Sequence, residues 1–136
     1  MEVVNNKNNL DIRATCLNCI DGRVQLPVLH WIRKQYHIDF VDVITAAGID
    51  GVIASKDNVD EIIRNINISI NNNKSVRIFL VGHYDCCGNL VDEKTHREHI
   101  TKAVMRLKSH WPELEIVGLW INSHWQVEVN CKQVLT

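Results

Sequence analysis

Hydrophobic and polar positions divide this chain into short apolar runs and longer segments with a helical repeat. DIRATCLN, residues 11–18, is a strand-sized apolar run that leads to the turn-forming pair Asp21-Gly22. QLPVLHWIRKQYH, residues 25–37, reads as a helix with Pro27 early, where a missing N–H costs little. DFVDVITA, residues 39–46, is β-branched and apolar and predicts a second strand. In DNVDEIIRNINISI, residues 57–70, the apolar positions Val59, Ile62, Ile63, Ile66 and Ile70 share one helical face. VRIFLVGH, residues 76–83, is almost wholly apolar, the pattern of a strand buried on both faces. Thr95-His96-Arg97-Glu98 has the form of a capping box. It leads into a helix with Ile100, Ala103, Val104 and Leu107 inward, which Pro112 closes. EIVGLWIN and WQVEVN follow as a last pair of strands.

Strands alternating with helices predict an α/β fold, a central and mostly parallel sheet flanked by helices. At 136 residues the chain is one domain, expected over 11–136 behind a flexible tail at 1–10 that carries NNKNN. The second polar tract, Asn71 to Ser75, is expected as a loop. A formal net charge of −1 offers no basic surface for nucleic acid or for an anionic membrane. The apolar runs are too short to span a bilayer and the first residues show no apolar leader, so a cytoplasmic location is expected.

Five cysteines without an export signal read as thiols, metal ligands or redox groups rather than disulfides. Ligands in parallel sheets sit beyond the carboxyl ends of strands, where strand order reverses. Cys19 follows the first predicted strand, and His83 with Cys86 follows the third. If those strands are neighbours, three soft ligands converge and suit zinc with one position left open. Cys19-Ile20-Asp21-Gly22-Arg23 adds a carboxylate that an Arg fork can hold in one direction. Cys16 with Cys19 makes C-x-x-C, whose alternative reading is a redox pair. That motif belongs at a helix N-terminus, whereas here it lies in a strand. Cys16 is therefore read as core, Cys87 as a packing or spectator thiol, and Cys131 as a free cysteine. Asp85 is expected to cap its loop, and His96, His99 and His110 to be solvated helix residues. The tryptophans are read as core and interface mass.

C-x-D-x-R after one strand and G-H-x-x-C-x-G after another resemble the signature of the β-class carbonic anhydrases. VITAAG, Val43 to Gly48, stands where that family has V-x-R-N-A-G, and HWPELEIVGLWIN resembles its closing segment. The CIDGRVQLP and HYDC-x-GN blocks resemble a short, divergent branch of it. The resemblance implies that Cys19, His83 and Cys86 hold Zn²⁺ and that Asp21 and Arg23 form a catalytic dyad. It places Ala47 and Gly48 at the substrate pocket. The implied activity is hydration of carbon dioxide to bicarbonate by zinc-bound hydroxide, in a homodimer or larger homo-oligomer. The alternatives are a related hydrolase of carbon disulfide or carbonyl sulfide, and a non-catalytic zinc or thiol regulatory protein. Thr45 and Ala46 depart from the family's Arg-Asn, Cys87 from a small residue and Ile121 from a frequent tyrosine. No glutamine is identifiable as the family's pocket donor.

Overall fold

Strand β1, Arg13–Asn18, sits second in a five-stranded sheet whose order is β2-β1-β3-β4-β5. The computed structural model describes residues 11–134, so the tail expected over residues 1–10 lies outside the described residues. The other strands are β2, Phe40–Thr45, β3, Arg77–His83, β4, Glu115–Ile121, and β5, Val127–Gln133. The β1–β2, β1–β3 and β3–β4 pairings are parallel and only β4–β5 is antiparallel, which makes the sheet mostly parallel as expected.

Side-chain alternation sorts the core into two layers. Ala14 and Cys16 of β1, Phe79 and Val81 of β3, and Val117, Leu119 and Ile121 of β4 face one side. Helix α1, Gln25–Tyr36, covers them with Val28 and Ile32. Leu17, Ile78, Leu80, Ile116 and Trp120 face the other side, beneath three helices. These are α2, Ile49–Ser55, α3, Asp60–Asn67, and α4, Glu93–His110. Each fully buried isoleucine or leucine of these layers contributes about 1.5–3 kcal/mol relative to exposure.

Local chemistry sets the element ends. Pro27 lies in the first turn of α1, and His37 ends the helix in the left-handed region (φ 54°) with its N–H on the Arg33 carbonyl. The cap of α4 differs from the expected capping box. Asp92 accepts the Thr95 backbone N–H at 2.8 Å, so Thr95 lies inside the first turn and is capped rather than capping. Helix α2 is an addition to the sequence reading. Its Ile49, Val52 and Ile53 follow helical spacing, but over only seven residues. Helix α3 runs on into a single π turn, Ile68–Asn72, that brings Ser69 inward. Among the described residues, no helix is long and apolar enough to cross a membrane.

The chain leaves β1 for β2 on one side and returns to β3 on the other. Strand order therefore reverses between β1 and β3, and the crevice beyond their carboxyl ends is the favoured ligand position.

Candidate metal centre

Three chemically soft side chains meet in that crevice. Cys19 follows β1 directly, His83 is the last residue of β3, and Cys86 lies three residues on. One ligand-type atom from each lies within 4.8 Å of the others, and the residues are 4, 1 and 4% exposed. The condition set by the sequence, that the first and third strands be neighbours, is met.

The geometry suits a tetrahedral dication. Two thiolates on zinc, with bonds of about 2.3 Å, stand about 3.8 Å apart; the Cys19 and Cys86 sulfurs are 3.9 Å apart. His83 Nδ1 donates to the Tyr84 carbonyl at 2.7 Å. That bond leaves the Nε2 lone pair free, and Nε2 is a buried nitrogen with no hydrogen-bond partner. Burial lowers the His83 pKa, and the bond to the Tyr84 carbonyl only partly offsets it, so the neutral, ligating imidazole is favoured. Burial, and then the neighbouring Cys19 sulfur, push the Cys86 thiol up to about 11. The site disfavours a second bare negative charge, and a dication removes that penalty. Two thiolates and a neutral imidazole fit zinc.

The loops are built around these atoms. Asn18 Oδ1 accepts the Cys19 N–H at 3.0 Å, and Gln25 Nε2 donates to the Cys19 and Asp21 carbonyls at 2.7 and 2.9 Å. Gly48 N–H points at the Cys19 sulfur at 3.4 Å. Gly48 holds φ 61°, and a Cβ there would stand 2.4 Å from the Gly88 carbonyl oxygen. Ala47, its exposed neighbour, packs against Gly88. Asp85 turns the chain back after β3 at φ 60°, a conformation that aspartate tolerates.

Asp21 lies outside the three-residue cluster, with its carboxylate held by Arg23. The guanidinium Nε donates to Oδ1 at 3.1 Å and Nη2 donates to Oδ2 at 2.7 Å. The Arg23 backbone N–H adds a bond to Oδ1 at 2.9 Å. These bonds to Arg23 hold the Asp21 pKa down at about 2. Arg23 is fixed in turn by Asp85, through Oδ2 at 3.2 Å and the backbone carbonyl at 3.0 Å, and by the face of Trp125, 4.5 Å away. The Asp85 carboxylate thus holds the arginine rather than capping its loop as expected.

The remaining cysteines sort as expected where burial decides. Cys16 lies in the core inside β1, and burial pushes its thiol up to about 12, the reverse of an activated redox thiol. Cys87 is exposed and Cys131 half-buried, and both are free.

His96 corrects the sequence reading. It is 2% exposed rather than solvated, because α4 presses that face onto the sheet. There its Nδ1 donates to the buried Asp50 at 2.7 Å and its ring packs on Trp120. The sequence reading also missed Gln25, Asp50 and Asn89. Gln25 and Asn89 fall within the two quoted blocks CIDGRVQLP and HYDC-x-GN, the signal that marks them; Asp50 has none.

A family model described as "Putative carbonic anhydrase" matches residues 10–131. No curated protein matches the chain. Among solved structures, a carbonic anhydrase from Glaciozyma antarctica is similar at 16% identity, with a TM-score of 0.60 over 93% of this chain and 89% of that one. A β-carbonic anhydrase from Trichomonas vaginalis shows 18% identity and a TM-score of 0.60, over 89% of this chain and 82% of that one. One of two tetrameric β-carbonic anhydrases from Sordaria macrospora shows 13% and 0.55, over 94% and 85%. At these identities the likeness to the solved structures is one of fold. The family model, by contrast, follows the sequence from before β1 into β5, and on that match the chain belongs to the putative carbonic anhydrase family.

Proposed function

We propose that this protein binds one zinc ion through Cys19, His83 and Cys86 and hydrates carbon dioxide to bicarbonate. The observation that carries the reading is the buried cluster itself, two sulfurs 3.9 Å apart beside an imidazole nitrogen without a partner. Bound there, zinc supplies a Lewis acid that acidifies a water and stabilises negative charge on oxygen. Asp21 takes a hydrogen bond from the reacting water and aims its lone pair. Its pKa near 2 keeps it anionic at working pH but makes it too weak a base to store the proton, which passes on to solvent or buffer. Arg23 fixes the direction of that carboxylate, and Asp85 and Trp125 fix Arg23. Gly48 steadies the Cys19 sulfur with its N–H, and Ala47 and Gly48 border the substrate space.

A homo-oligomer is part of the same reading. One similar structure is described as tetrameric, and the edge strand β2 exposes Phe40 and Val43. Metal analysis with stopped-flow hydration from about pH 6 to 9 tests the activity. One zinc per chain with turnover supports it. Zinc without turnover at any pH sinks the enzyme and leaves a zinc-binding regulatory protein. Light scattering that gives a monomer mass would overturn the assembly.

A further inference from the structure

Asn89 closes the loop that carries Cys86, and its amide reaches into a buried network the proposed chemistry does not use. Asn89 Nδ2 donates to Asp50 Oδ1 at 3.2 Å and to His99 Nδ1 at 2.9 Å. The other oxygen of Asp50 takes the bond from His96. Both amide hydrogens are thereby used, and the flipped amide would set oxygen against oxygen at Asp50. The backbone around the network leaves no slack. A Cβ on Gly51 would stand 2.7 Å from Asn89 Nδ2, and one on Gly82 would stand 2.7 Å from Asp50 Oδ2. A Cβ on Gly88 would lie 2.5 Å from Gly48 N. The loop after β2 therefore touches the loop after β3 backbone to backbone. Each of them braces one cysteine: Gly48 N–H points at the Cys19 sulfur, while Asn89 N–H closes the other loop on the Cys86 backbone carbonyl at 3.3 Å.

We infer that Asn89, anchored on the buried Asp50–His96 pair, is a positioning residue that clamps these two loops together and sets the Cys19–Cys86 spacing for the metal. Asp50 opens α2 and His96 lies on α4, so the clamp ties the ligand loop to both helices rather than to the strand end alone. Partners of this kind, which touch no metal but orient its ligands, typically carry 10–100-fold in metal affinity.

The inference rests on the zinc reading, and the test separates the two. Zinc affinity is measured by chelator competition on the whole chain, with the melting temperature of the metal-free protein and the cobalt(II) absorption spectrum read in parallel. Asn89→Ala and the milder Asn89→Ser should weaken zinc about 10–100-fold while still binding one ion at saturation. Their cobalt bands should shift from the wild-type tetrahedral pattern. Asp50→Asn combined with Asn89→Ala should lose less than the product of the single losses, because both changes release the same clamp. A folded Asn89 variant with wild-type affinity and spectrum overturns the clamp, whatever its melting temperature. If Asn89→Ala fails to fold, the serine variant decides by the same criterion. Wild-type protein that binds no zinc overturns the zinc reading instead.

Discussion

Two buried polar clusters lie along β1, four residues apart, and they have opposite characters. Near the middle of the strand, Thr15 Oγ1 meets Ser69 Oγ at 2.6 Å, and Ser69 donates to Asp42 at 2.6 Å with Ser75 at 2.8 Å. Asn73 and Arg13 complete the Asp42 carboxylate. The hydroxyls and the carboxylate all find a partner inside the protein. Beyond the end of the strand, Cys19, His83 and Cys86 converge with a nitrogen that has none. Burial of a polar group demands a partner. Where the chain supplies partners for its hydroxyls and carboxylate, the cluster is structural; where two thiols and a free imidazole nitrogen converge, the group could hold a metal ion.

The sharpest way to break this contrast is to remove one ligand. Cys86→Ser should take zinc from one per chain to almost none by metal analysis, whereas Cys16→Ser, altering a core thiol, should leave it unchanged. Equal loss in both would move the site to the C-x-x-C pair. The next effect falls on turnover. Asp21→Asn keeps all three proposed ligands and should retain zinc, yet hydration should drop by roughly 10²-fold, the scale of losing the group that aims the reacting water. Undiminished hydration would remove the dyad from the mechanism.

The smallest effect belongs to the satisfied cluster. Ser69→Ala strands the Thr15 and Ser75 hydroxyls and should cost about 1–3 kcal/mol in urea unfolding, with zinc stoichiometry untouched. It should also alter acid stability. Burial raises the Asp42 pKa, but bonds from Ser69, Asn73 and Arg13 outweigh it and hold the pKa below the ordinary 3.8. A folded pKa below the unfolded one gives stability that is present above about pH 4 and lost as pH falls further. Without the Ser69 bond this contribution shrinks, so the variant should differ less from wild type at pH 3 than at pH 7. An unchanged difference would mean that Ser69 does not act through Asp42.

Much of this was legible in sequence. Strands β3 and β4 announced themselves through the runs VRIFLVGH and EIVGLWIN, because strands covered on both faces demand apolar side chains on both. Cys19, His83 and Cys86 were legible because ligands fall at strand ends, so chain position already implied convergence. What stayed hidden depends on distant partners. His96 looks like any polar residue of an exposed helix, and only the packing of α4 over Trp120 buries it against Asp50. Asp92 and Thr95 are both good caps, and local pattern does not rank them. Helix α2 is too short for its period to stand out.

The separation of Cys19 from Cys86 has a consequence in time. They lie 67 positions apart. At a synthesis rate of about 5–20 residues per second, roughly 3–13 seconds pass between the two cysteines leaving the ribosome. Until β3 exists, β1 lacks one of its two sheet neighbours and Cys19 lacks the His83 and Cys86 side chains beside it. During that interval its thiol meets whatever oxidant or stray metal the surroundings hold, so the newborn chain is more exposed at this position than the folded protein.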